Sequence, residues 1–191
     1  MDFGFFGVNA GVLADPATMV EAATTAEAAG WESIWTGEHV VVSSPQRPPS
    51  PVRPDTHFVD QVATLAHLSA HTTTLRLGTG IVILPQRNPV VLAKELASID
   101  VLSGGRLEAG FGVGYVPGEF DAVGVPFAQR GARMDDHIDA LRAMWRGDLE
   151  FEGRFTSWHG VEAHPRPVGP DGPPIHVGGG SSATFRRAVL R

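Results

Sequence analysis

A chain of 191 residues, 42% of them hydrophobic, is long enough for one globular domain with a substantial core, which excludes disorder as its main state. Its 21 acidic and 15 basic residues leave a net charge of −6 with no basic run, which argues against nucleic acid as a partner. Cysteine is absent, which excludes disulfides and thiolate chemistry, and neither a signal peptide nor a long apolar span is evident, so the protein is expected to be soluble and cytoplasmic with no membrane partner.

Phe3 to Val8 is an apolar run too short for a helix and predicts a first strand. Asp15-Pro16 offers an N-cap and a first-turn proline to a helix that ends at Gly30, and Ser33 to Thr36 predicts a second strand directly after it. Ser43 to Pro54 is proline-rich and polar, a surface loop. Phe58, Val62, Leu65 and Ser69 share the face of a second helix. Leu75 to Leu84 predicts a third strand ending at Pro85, and Asn88-Pro89 opens a helix that runs to Leu102 and stops at Gly104-Gly105.

A fourth strand is expected over Leu107 to Phe111, followed by the clearest amphipathic stripe in the chain, Met134, Ile138, Leu141 and Trp145. Glu152-Gly153-Arg154 suggests a tight turn between short strands around Phe151 and Phe155. Ile175 to Val177 is a fifth strand, Gly178-Gly179-Gly180 a backbone turn, and Ser181 the cap of a last helix reaching Arg191. Strands alternating with helices imply right-handed crossovers and a parallel sheet covered by helices. Five units are present, the fifth lacking a helix stop signal, so the architecture is expected to be incomplete at its C-terminal end.

Three groups of residues invite a chemical reading. Gly110, Gly112 and Gly114 alternate, but a dinucleotide fingerprint needs a different spacing at the start of a helix, and Gly114-Tyr115-Val116-Pro117 is not expected to begin one. Gly178, Gly179, Gly180 and Ser181 form either an anion-binding nest at a helix N-terminus or an ordinary strand-to-helix turn with a serine cap. His67 and His71 share a helix face without a carboxylate between them, so no metal site is assigned.

The local strings, in order, resemble the luciferase-like monooxygenase superfamily, and most closely its F420-dependent oxidoreductases. The matching strings are Phe3-Gly4-Phe5-Phe6, Trp35-Thr36-Gly37-Glu38-His39, Leu77-Gly78-Thr79-Gly80-Ile81, Asn88-Pro89 with Leu92-Ala93-Lys94, Leu102-Ser103-Gly104-Gly105-Arg106, Gly110-Phe111-Gly112-Val113-Gly114-Tyr115, Gly118-Glu119-Phe120 and Pro174-Ile175-His176-Val177-Gly178-Gly179. The resemblance implies an α/β fold, the (β/α)8 TIM barrel of the bacterial-luciferase-like type, with residues 1–191 as one barrel domain truncated at the C-terminus. Such a barrel takes about 250 residues and eight strands, so the sixth to eighth units are missing. Five strands leave two unpaired edges, so the chain alone is expected to be unstable or to pair as a homodimer of half-barrels.

Residues just after barrel strands carry function. The resemblance makes His39, with Glu38 beside it, the catalytic candidates. It assigns Gly80, Ile81, Val113, Gly114, Tyr115, Gly178, Gly179, Gly180 and Ser181 to cofactor binding, with a cis Gly80-Ile81 peptide against the cofactor ring. Arg87 is a further possible phosphate or substrate contact. Tyr115 stands where sugar-phosphate-oxidising relatives carry a glutamate, which argues against that activity. The implied function is hydride transfer between coenzyme F420 and a small-molecule substrate. The alternatives are an FMN-dependent monooxygenase and an inactive truncated fragment. Substrate identity would lie in the loops from Ser43 to Pro54 and from Val116 to Ala128.

Overall fold

The computed structural model describes residues 3–190. Its parallel sheet is built from β1 (Gly4–Phe6), β2 (Ser33–Thr36), β3 (Arg76–Thr79), β4 (Val82–Ile83), β5 (Leu107–Gly112) and β8 (Ile175–Val177). β1 pairs with β2, β2 with β3, and β3 with β5; β4 continues β3 past a break and pairs with the end of β5, on which β8 also lies. This makes five barrel positions in chain order, since β3 and β4 share one. Among the described residues β1 and β8 have no further neighbours, so the barrel is open.

The crossover helices are α1 (Pro16–Ala28), α2 (Gln61–Ser69), α3 (Pro89–Ser103) and α5 (Arg130–Arg146), with α6 (Ser182–Leu190) after β8. Their ends follow the chemistry of the sequence. Asp15 caps α1 through the Thr18 N–H, and Asn88 caps α3 through Val90 and Val91. Gly104 and Gly147 close α3 and α5 in the left-handed conformation that a side chain would resist. Among the described residues no helix is long and apolar enough to cross a membrane.

Strand alternation sends Ile34, Leu77, Leu107, Ala109 and Phe111 outward, where they are fully buried in one core with the helices. Trp145 and its stripe on α5 belong to this core, and the Trp145 indole N–H donates to the Ala93 carbonyl of α3. The inward register is different in kind. Glu108 accepts from Arg76 and meets His176 at 2.6 Å, Trp35 lies edge-on to His176, and Phe6 is 65% exposed. Gly78 leaves the Trp35 ring the space that a Cβ would take.

Three expectations need correction. The second helix begins at Gln61, capped by Asp60, so Phe58 lies before it in an isolated bridge to Ala10. The hairpin pairs β6 (Glu150–Glu152) with β7 (Ser157–His159), so Phe155 belongs to the turn; Asp136 accepts from the Arg154 and Phe155 N–H groups and holds that turn. Pro117 does begin a helix, α4 (Pro117–Ala122), because its missing N–H costs nothing at the first helical position.

Candidate active site

The C-terminal ends of the strands surround a cleft of about 630 Å³. Glu38, His39, Gly80, Ile81, Val113, Gly114, Tyr115 and the Gly178 to Ser181 turn all line it. Residues from four separate strand ends therefore converge, as the topology of a parallel barrel requires.

The β2 end is fixed from outside. Asn9, which follows β1, accepts from the Gly37 N–H at 2.8 Å and donates to the carbonyls of Gly37 at 2.9 Å and Val59 at 2.7 Å. Thr36 donates to Gln61 at 2.8 Å, and the Gln61 amide donates to the Ile81 carbonyl at 3.2 Å. Gln61 thus ties β2 to the break between β3 and β4. There the Gly80-Ile81 peptide is cis, and the Gly80 N–H donates to the Thr36 carbonyl at 2.9 Å.

His39 is the best-oriented group in the cleft. Its Nδ1 lies 2.5 Å from Glu119 Oε1, and the two side chains are 10% and 2% exposed. An ionised carboxylate only accepts, so the imidazole carries its proton on Nδ1 and leaves Nε2 as the free nitrogen. The ring packs edge-on to Phe58 at 5.3 Å and Tyr115 at 6.4 Å, which restricts its rotation. Burial first, and then the charge of Glu119, push the Tyr115 phenol above its ordinary value, so it stays a protonated donor at neutral pH.

Glu38 is placed differently. One oxygen accepts from the Ile83 N–H and the other from Arg87, which also reaches Asp60 at 3.2 Å. Both carboxylate oxygens are thereby engaged in holding the β4 end. Arg87 spends its charge on two carboxylates and lines a separate small pocket; it is not among the residues of the main cleft, so its reading as a phosphate contact does not fit.

The alternating glycines have a packing cause. A Cβ on Gly112 would stand 2.5 Å from Ile81 Cδ1, and one on Gly178 would stand 2.9 Å from Ile81 Cγ2. The room that these glycines leave is taken by the Ile81 side chain. Gly114 needs its lack of a Cβ twice over, since φ is +72° and a Cβ would meet Ile83 and Phe120. In the turn after β8, Ser181 Oγ accepts from the Thr184 N–H at 3.2 Å and caps α6. A Cβ on Gly180 would meet no other atom, so the approach to the first turn is open.

Sequence reasoning missed Asn9, Gln61 and Gln86, and it quoted Glu119 without giving it a role. Asn9 follows a strand and carried the same positional signal as His39. The others act through contacts more than 20 residues away in sequence, which spacing does not reveal. Among the described residues no group of three or more His, Asp or Glu side chains is placed to hold a metal.

The luciferase-like monooxygenase family profile matches residues 1–190. The chain belongs to this family. An uncharacterised protein of Mycobacterium tuberculosis is 34% identical over 176 residues, covering 87% of this chain and 60% of its own length. The oxygenase component of a flavin-dependent trigonelline monooxygenase from Acinetobacter baylyi is 32% identical over 161 residues, covering 83% and 42%. Among solved structures, an F420-dependent secondary alcohol dehydrogenase superposes with a TM-score of 0.75 at 19% identity, over 93% of this chain and 52% of its own; this likeness concerns the fold. The chain therefore spans about half the length of these proteins, and its open sheet is an incomplete luciferase-like barrel.

Proposed function

We propose that residues 1–191 are the first five units of one barrel domain, and that this domain belongs to an oxidoreductase transferring hydride between coenzyme F420 and a small organic substrate. The observation that carries the reading is the His39–Glu119 pair, an imidazole and a carboxylate 2.5 Å apart that both line the cleft where the strand ends converge. The residues present fit a flat, phosphate-bearing cofactor. Ile81, Val113 and Gly114 give one side of the cleft an apolar lining, and the N-terminal end of α6, reached past Gly179 and Gly180, suits a phosphate.

When bound, F420 supplies the two-electron hydride chemistry. The protein positions and protonates. His39 Nε2 takes or returns the proton that accompanies hydride transfer, since an imidazole nitrogen can accept a proton and donate it back. Glu119 fixes the tautomer and stabilises the imidazolium. Glu38 acts at one remove, by holding the β4 end through Ile83 and Arg87. Tyr115, 52% exposed at the rim, is placed to donate to a substrate oxygen.

An FMN-dependent monooxygenase is the second reading, favoured by the flavin dependence named for the 32% identical relative. Fluorescence titration decides between them, using the chain alone and a chimera carrying the last three strand–helix units of the M. tuberculosis relative. F420 is expected to bind the chimera at least about ten-fold more tightly than FMN. Equal or tighter FMN binding, or rapid reaction of the reduced complex with oxygen in stopped flow, overturns the F420 reading.

A further inference from the structure

The corner of the cleft over His39 is built by this chain's own residues. β2 and β5, whose ends lead to His39 and Tyr115, are each paired on both sides, so the corner lies away from the open edges of the sheet. The loop that follows β2 crosses to α4, where a Cβ on Gly118 would stand 3.4 Å from Ser43 Oγ. Its later part is held by its own side chains, since Gln46 donates to the Ser50 carbonyl and Ser50 to the Val52 carbonyl, both at 3.2 Å. It brings Pro51 and Val52 to the cleft, which Phe58 and Val116 also line. Among the described residues no Lys or Arg lines the cleft, and its two carboxylates are already engaged, Glu38 by the Ile83 N–H and Arg87, and Glu119 by His39. The chain as a whole is acidic, at −6. Moving a charge from water into such a place is unfavourable unless a counter-charge meets it. Two groups at this corner remain to bond a guest, the Tyr115 hydroxyl as a donor and His39 Nε2 as an acceptor, on rings 6.4 Å apart.

We propose that this corner selects an uncharged substrate with an apolar body and one hydroxyl or carbonyl oxygen, and that Val52 sets the preference against anions. The proposal rests on the reading of the cleft as the place where substrate meets His39. A hydroxyl suits both free groups at once, because it donates to Nε2 and accepts from Tyr115, and a carbonyl accepts from Tyr115. A carboxylate or phosphate in the same place would lie near Glu119 with no Lys or Arg to meet it. An ammonium would find both carboxylates already paired. The phosphate of a cofactor is met elsewhere, at the turn before α6, so the two ends of the cleft differ in the charge they accept.

The test uses probes that share one ring and differ in its head group: cyclohexanol, cyclohexanecarboxylate and cyclohexylammonium. Each is titrated at neutral pH, where both ions are charged, into the 15N-histidine-labelled chain without any cofactor, and binding is read from the His39 imidazole signals by NMR. Cyclohexanol is expected to bind at least about ten-fold more tightly than either ion. Val52→Arg, which places a cation at the apolar wall, is expected to tighten cyclohexanecarboxylate by about ten-fold and to change cyclohexanol by less than about two-fold. Tyr115→Phe is expected to weaken cyclohexanol by about five-fold, the loss of one hydrogen bond, which keeps the test open if Val52→Arg does not fold. Equal or tighter binding of either ion to the unaltered chain, His39 signals that cyclohexanol leaves unmoved, or a folded Val52→Arg chain that binds the carboxylate no better, overturns the proposal. Tighter binding of FMN than of F420 would sink the proposed cofactor while leaving the order of the probes intact, so the two failures are distinguishable.

Discussion

The two faces of the sheet obey different rules. Its outer face is sealed by this chain's own helices, with Ile34, Leu77, Leu107, Ala109 and Phe111 at most 1% exposed. Its inner face carries Trp35, Arg76, Glu108 and His176, joined by the Arg76–Glu108 ion pair, the His176–Glu108 hydrogen bond and an aromatic edge contact, beside a Phe6 ring that stands in the open. A crossover unit buries its outer face locally, between one strand and the next, whereas a barrel interior is completed only by strands from the other side. Half a barrel can therefore own a full hydrophobic core and still display an unfinished interior.

The comparison is broken most directly by removing the same side chain from each face. Phe111→Ala empties a fully buried site and is expected to cost about 3–5 kcal/mol, much of the stability of an ordinary domain, seen as a large drop in the denaturant midpoint. If it costs under about 1 kcal/mol, the outer core is not the stabilising layer described.

A smaller effect is expected at the strand ends. In the chimeric barrel, His39→Ala should lower turnover by about ten-fold or more, with cofactor affinity little changed. Glu119→Gln should lower turnover in the same direction, since the histidine loses the partner that orients its ring. Unchanged turnover in both variants would leave the pair as a packing feature of β2.

The outer face also has an electrostatic anchor at its other end. Burial acts to raise the Glu27 carboxyl, but hydrogen bonds from the Thr74, Leu75 and Thr73 N–H groups and the Thr74 hydroxyl outweigh it and hold the group at about 2. A folded value below the unfolded one means stability that is present above about 4.5 and lost as pH falls toward 2. Glu27→Ala should therefore lower the Tm by about 5 °C at pH 7, and the gap to the parent should shrink across that acid window. A gap that is the same at pH 7 and pH 2.5 would contradict the hydrogen-bonded carboxylate.

The smallest effect is expected on the inner face. Phe6→Ala should change the stability of the isolated chain by no more than about 0.5 kcal/mol, because the ring is mostly in solvent. In the chimera the same substitution should cost more, and the difference between the two values measures how far the added strands complete the interior.

Much of this organisation was legible in the residues. Asp15-Pro16, Asn88-Pro89, Gly30 and Gly104 mark helix ends through local chemistry, and the observed helices obey them. The cleft was legible because strand ends converge in any parallel barrel, and the family resemblance picked out His39, Ile81, Val113 and Gly178 among the residues after strands. What could not be read was contact across distance. Glu119 meets His39 from 80 residues away. Arg87, placed by position as a ligand contact, is claimed by Glu38 and Asp60. Pro117 was misjudged for another reason: its tolerance at the first helical position outweighs its breaking effect elsewhere.

Ile81 gives the cleft a dimension as well as a wall. Its side chain lies across the bare backbones of Gly112 on β5 and Gly178 after β8, two tips already joined by the Gly178 N–H to Phe111 carbonyl bond at 2.8 Å, and it takes the space that their missing Cβ atoms leave. A thinner residue at position 81 would leave that space to the cleft, and a thicker one would crowd the two backbones. Either change alters the room a bound molecule finds beside the Gly178 to Ser181 turn without touching a hydrogen-bonding group. Calibre in this site is thus set separately from chemistry, and by a side chain with no polar atom.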